Sequence, residues 1–145
     1  IMEEQGLVDK YIGDAIMAFW GAPVRTEDHP ERAVLAAMEM LEGLKTVNKT
    51  LKERGFEHEV KIGIGINTGV ATIGNIGSEQ KKNYTVVGDV VNLSSRIESI
   101  TKEYKTPLLF SEYTYEKIKN KIACKLMGNV KVKGREQPVT IYTTE

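Results

Sequence analysis

Tyr84-Thr85-Val86-Val87-Gly88-Asp89-Val90-Val91-Asn92-Leu93-Ser94-Ser95-Arg96-Ile97-Glu98 decides the fold class, because its periodicity changes part-way along. The first four residues are aromatic or β-branched, the types that strands favour. From there Val90, Leu93, Ile97 and Ile100 recur at helical spacing. A short strand therefore feeds a helix that opens at Gly88-Asp89 and is predicted to end near Tyr104.

Working outward gives more strands and two more helices. Upstream, Val60, Ile62, Ile64 and Ile66 alternate with Lys61, Gly63, Gly65 and Asn67, which predicts a strand. Gly69, Gly74 and Gly77 punctuate a second strand or bulged ribbon through Val70 to Ile76. Asp28-His29-Pro30-Glu31 is a helix start, with Pro tolerated in the first turn. Ala33, Ala37, Met40, Leu41, Leu44, Val47 and Leu51 then mark one long amphipathic helix ending near Gly55. Leu7 to Ile12 and Ala15 to Trp20 read as a β-hairpin turning at Gly13-Asp14. Downstream come a strand at Leu108 to Phe110 and a helix capped by Ser111 that runs through Lys119. Two last strands, Lys125 to Lys133 and Val139 to Thr143, flank a turn at Gly134. The fold class is α+β, with helices packed on a largely antiparallel sheet.

Bulk properties narrow the functions. The chain has 145 residues, enough for one domain with a real core. Lys plus Arg and Asp plus Glu each number 20, so the formal net charge is zero and no broad nucleic-acid footprint exists. Cys124 is the single cysteine, which excludes a disulfide framework and fits a reducing cytosol. No apolar run approaches the roughly 20 residues that span a bilayer. Direct membrane insertion is not expected.

Few residues stand out chemically, and each has an ordinary reading too. Asp14 is a carboxylate at a hairpin tip, suited to Mg²⁺, although Gly-Asp is also plain turn chemistry. Lys10 is either a ligand contact or a solvated strand lysine. Asn92 and Arg96 share a helix face offset from the apolar one. Arg offers a planar fork suited to phosphate oxygens, yet such pairs commonly just face water. Lys133 lies in a turn, as surface lysines often do. No Walker loop occurs, and His29 and His58 have no partner at metal-ligand spacing.

The order of these pieces says more than any one of them. Lys10-Tyr11-Ile12-Gly13-Asp14-Ala15-Ile16-Met17-Ala18-Phe19 resembles the hairpin signature of class III adenylate and guanylate cyclases. Residues 84–98 resemble that family's second signature, Ile62 to Gly69 its central strand, and Val132-Lys133-Gly134 its closing motif. The resemblance covers the whole chain. It implies a ferredoxin-like, palm-like cyclase fold that converts ATP to 3′,5′-cyclic AMP and pyrophosphate. It further implies two Mg²⁺ or Mn²⁺ ions, one held partly by Asp14, with Lys10 and Thr85 reading the purine. Lysine donates to adenine N1, where guanylate-specific members typically have glutamate. Threonine at position 85 marks a bacterial branch that includes bicarbonate-responsive enzymes. Asn92 and Arg96 match the pair that steadies ribose and transferring phosphoryl group, and Lys133 a lysine that holds the terminal phosphates. Sites of this family form between two catalytic domains, so a head-to-tail homodimer is implied.

The resemblance also marks a departure. A full domain opens with a strand carrying the first metal aspartate, then two helices, and about this first quarter has no counterpart here. The first metal aspartate is accordingly expected upstream of Ile1, with Ile1 to Gly6 forming the end of the preceding helix and its cap. The fragment alone is therefore expected to be inactive, inside a longer cytosolic or membrane-tethered parent with upstream sensor or regulatory domains. The competing readings are a catalytically silent cyclase-homology dimerisation domain and a guanylate cyclase, the latter disfavoured by Lys10. A diguanylate cyclase is disfavoured because its G-G-[DE]-E-F turn is absent.

Overall fold

A computed structural model describes residues 1–145, with the side chains of residues 81–83 excepted. In chain order the elements are β1 (Leu7–Ile12), β2 (Ala15–Phe19), α1 (His29–Glu53), β3 (Ile64–Ile66), β4 (Thr72–Ser78), β5 (Lys81–Val87), α2 (Asp89–Ser99), β6 (Leu108–Ser111), α3 (Glu112–Ile118), β7 (Cys124–Val130) and β8 (Val139–Thr144). Four strands form the central sheet in the order β3-β6-β8-β7, where only β3 and β6 run parallel. The pairs β1-β2 and β4-β5 form two separate antiparallel ribbons.

Alternation along the strands divides the core into two halves. Leu109, Val139 and Ile141 face α2, meeting Leu93, Ile97 and Ile100. Leu108 and Phe110 face the other way, against Val34 and Ala37 of α1 and Ile118 of α3. Helices thus cover both faces of the sheet. Ser111 caps α3 by accepting from Thr114 N–H at 3.4 Å. Among the described residues no helix is long and apolar enough to cross a membrane.

The expected strands and helices hold, while several boundaries and the extent of burial along α1 differ. The strand predicted over residues 60–66 pairs only at Ile64–Ile66. Val60 does not join the ladder because the Asn48 amide takes both its backbone groups, at 2.8 and 3.0 Å. Helix α2 ends at Ser99, not Tyr104; Thr101 hydroxyl and N–H both donate back to Glu98 O and close the last turn. Strand β7 stops at Val130, so Lys133 lies on the connecting loop. The apolar stripe of α1 is buried only at its N-terminal end, and Val47 is exposed.

The segment before β1, expected as a helix end with its cap, forms a single 3-10 turn at Met2–Glu4. Ile1 O accepts from Glu4 N–H at 3.2 Å and from Gly6 N–H at 3.0 Å, and Gln5 takes a left-handed φ of 64°. Met2 O also accepts, from Gln5 N–H at 3.0 Å, so two backbone carbonyls close the turn and the chain passes directly into the hairpin.

Candidate active site

The hairpin β1-β2 turns at Gly13, whose φ of 61° suits glycine. This leaves Asp14 exposed at the tip. The ladder pairs Val8 with Ala18 and then Lys10 with Met17, so Asp9 is an extra residue, a β-bulge. The bulge turns the Asp9 side chain inward until it is 2% exposed, while Lys10 keeps 49%.

Asp9 reaches across to β5. Thr85 Oγ1 donates to it, lying 2.7 and 2.9 Å from its two oxygens, and Val86 N–H donates to Oδ2 at 3.1 Å. The Lys10 ammonium stands 4.0 Å from Oδ1. A cleft of about 530 Å³ opens above these groups, lined by Asp9, Lys10, Ile76, Tyr84 and Thr85. Two of the expected site residues, Lys10 and Thr85, therefore meet in one cleft, with partly exposed Ile76 and Tyr84 beside them. Sequence reading missed Asp9. The available signal was a carboxylate beside Lys10 in an otherwise apolar hairpin.

Asn92 and Arg96 lie on the exposed face of α2, as their spacing predicts. The helix beneath them is firmly seated. Ser94 Oγ donates to Gly65 O at 2.9 Å, and Asn67 Nδ2 donates to Val90 O at 3.0 Å. Asn67 Oδ1 in turn accepts from Ser111 Oγ at 2.6 Å, tying α2 to the start of α3. Gly65 lets the helix approach this closely: a Cβ there would strike the backbone of Glu98 and sit 2.5 Å from Ser94 O. Among the described residues the Arg96 side chain bonds only within its helix, to Ser99 Oγ at 3.5 Å.

Lys133 is exposed on the loop between β7 and β8. Two residues on, Arg135 anchors that loop, donating to Asp89 Oδ2 at 2.5 Å and to Tyr113 Oη at 3.2 Å. The Asp89 hydrogen bond, foremost, raises the Arg135 pKa above its ordinary value. Because Asp89 opens α2, one guanidinium links the Lys133 loop to the helix bearing Asn92 and Arg96. The lining of the cleft includes none of Asp14, Asn92, Arg96 or Lys133.

Metal ligands are sparse. Among the described residues no three His, Cys, Asp or Glu side chains gather as a metal site. Asp14 is one exposed carboxylate, and one such donor does not complete a two-ion site. Ile1 has an aliphatic side chain and its carbonyl is engaged in the 3-10 turn, so it supplies no ligand. The first metal aspartate expected before Ile1 lies outside the described residues.

The profile of the adenylate and guanylate cyclase catalytic domain matches residues 4–145. The chain belongs to that family. Among curated cyclases it is 32% identical to adenylate cyclase 1 of Rhizobium meliloti, covering 98% of this chain and 21% of that protein. Against the adenylate cyclase of Anabaena cylindrica the identity is 34%, over 98% and 28% of the two chains. This cyclase domain thus spans about a quarter of the length of those relatives. The crystal structure of the adenylyl cyclase CyaB from P. aeruginosa superposes with a TM-score of 0.91 at 34% identity, covering 99% of this chain and 74% of that one. A guanylate cyclase domain from Catenaria anguillulae, solved in complex with GTP, superposes with a TM-score of 0.79 at 29% identity, covering 99% and 74%. Overall likeness therefore assigns the cyclase fold without selecting the base.

Proposed function

We propose that this domain cyclises ATP, giving 3′,5′-cyclic AMP and pyrophosphate. The observation that carries this reading is the pairing of Lys10 and Thr85 in a single cleft with Ile76 and Tyr84. Lysine has only donors, and a hydroxyl can accept. Together they suit adenine, whose N1 accepts while its amino group donates. The apolar neighbours suit the faces of a purine ring.

Cyclisation requires the ribose 3′-oxygen to attack the α-phosphorus in line as pyrophosphate leaves, with the attacking proton passed to solvent or a base. The residues of this chain contribute mainly position and charge. Asn92 orients the ribose through its amide, and Arg96 stabilises charge growing on the phosphoryl oxygens. Lys133 neutralises the terminal phosphates from its tethered loop. The divalent ions that such cyclases use supply further charge neutralisation when bound. Asp14 would be one of their ligands, and the remaining donors lie beyond the residues gathered here.

The separation of Asp14 from Lys10 and Thr85 within one chain supports a shared site. In the arrangement that the resemblance implies, one copy supplies Asp14 and the other supplies Lys10, Thr85, Asn92, Arg96 and Lys133, and Asp14 is absent from the lining of the Lys10 and Thr85 cleft. A second copy packed head-to-tail brings complementary groups together, and it generates two equivalent sites.

The test uses the full-length protein that carries this chain, supplied with ATP or GTP and either Mg²⁺ or Mn²⁺. Cyclic AMP should dominate. Cyclic GMP as the main product would transfer the assignment to guanylate cyclases. No cyclic nucleotide from a folded dimer would support a silent homology domain instead.

A further inference from the structure

We infer that Asp9 sets the base preference of the cleft by fixing which way the Thr85 hydroxyl points; this rests on the adenylate reading above. A hydroxyl carries one proton. Thr85 Oγ1 lies 2.7 and 2.9 Å from the two oxygens of Asp9, so that proton is shared between them. Among the described residues the other polar partners of Asp9, Val86 N–H and the Lys10 ammonium, can only donate, so the carboxylate accepts from each of them. It is also held from turning away, by the Val86 bond and by a side chain 2% exposed.

With its proton committed, Thr85 offers the cleft lone pairs alone. Lys10 offers protons alone. One fixed acceptor beside one fixed donor complements adenine. Hypoxanthine and guanine carry a carbonyl oxygen at C6 and a hydrogen on N1, so both groups meet the wrong polarity. Were Asp9 absent, the hydroxyl could rotate and donate to that carbonyl, and one of the two mismatches would disappear, leaving that of Lys10 with N1–H. Asp9 is thus a positioning residue that acts on the base through Thr85.

Asp9→Ala tests this, because it removes both oxygens that accept from Thr85 Oγ1 and leaves the hydroxyl proton free to turn. The readout is displacement of a fluorescent ATP analogue from the full-length protein by ATP, ITP and GTP, so it does not depend on turnover. The wild type should prefer ATP to ITP by roughly tenfold or more, the scale of a mismatched polar contact. Asp9→Ala should remove the part of that preference that Thr85 supplies, a severalfold loss, while the part due to Lys10 stays. In a Thr85→Val background, which has no hydroxyl to orient, Asp9→Ala should change the preference no further. A folded Asp9→Ala protein with the wild-type preference overturns the inference, and so do additive effects of the two substitutions.

Should Asp9→Ala fail to fold, wild type and Thr85 variants still decide. ITP binding as tightly as ATP means the hydroxyl turns freely and overturns the inference. A preference kept by Thr85→Ser and reduced by Thr85→Val supports it. Failure of the adenylate reading looks different: the wild type binds GTP best, or binds ATP selectively and forms no cyclic AMP.

Discussion

Arg96 projects from α2 into solvent, and among the described residues its side chain makes only a 3.5 Å contact, to Ser99. A guanidinium so lightly engaged contributes little to folding, since exposed pairs are worth less than about 1 kcal/mol. In the proposed function its worth lies in what it meets during catalysis. Arg96→Ala should therefore leave the melting temperature nearly unchanged and lower turnover roughly hundred- to thousandfold, as loss of one charge-stabilising donor does. Parallel thermal melts and cyclic AMP assays on the purified full-length variant check both halves; normal turnover would remove Arg96 from the mechanism. Arg96 and Asn92 were legible in the sequence because helical spacing fixes their common face. Asp9 was not. Asp9 and Lys10 are adjacent polar residues between Leu7-Val8 and Tyr11-Ile12, so alternation lapses there, but only the pairing with β2 reveals that the strand bulges.

The seating of α2 on β3 is the step on which the placement of Asn92 and Arg96 depends. Gly65 makes it possible, because any side chain there would overlap the α2 backbone at Glu98 and Ser94. Neither backbone segment can yield as a flexible side chain would. Gly65→Ala should destabilise the protein by about 1–3 kcal/mol, the usual cost of overpacking, and displaced catalytic groups should lower turnover beyond what the lost stability explains. Gly43 is the matched control. It lies within α1 with nothing inside 4 Å of a would-be Cβ. Gly43→Ala should stabilise by about 0.5–1 kcal/mol. Urea titrations of both variants test the pair, and equal effects would refute the close-approach account. Sequence patterning located every strand and α-helix here, but not where each one ends. Asn48 ends the predicted strand early by capturing Val60, a contact between residues 12 positions apart that alternation cannot report.

At the scale of the whole molecule, Asp14 stands outside the cleft of Lys10 and Thr85, and the hairpin that carries it exposes Tyr11, Ile12 and Ile16. Motif order in the sequence supplied the candidate residues of the site. It could not supply their relative placement, because that depends on folding and, in the head-to-tail arrangement, on a second copy. The arrangement has a quantitative consequence. If each site takes Asp14 from one copy and Arg96 from the other, a full-length Asp14→Asn protein and a full-length Arg96→Ala protein are each nearly inactive alone. Mixed and allowed to exchange, about half of the dimers become hybrids, as random pairing of a two-fold assembly requires. In a hybrid, one site takes Asp14 from the Arg96→Ala copy and Arg96 from the Asp14→Asn copy, and is intact; its opposite site carries both defects. One working site in half of the dimers restores about a quarter of wild-type specific activity. Cyclic AMP production measured across mixing ratios should peak near equal amounts. A mixture no more active than its better component, with exchange verified by differently tagged copies, would place Asp14 and Arg96 in the same copy's site and dissolve the head-to-tail arrangement.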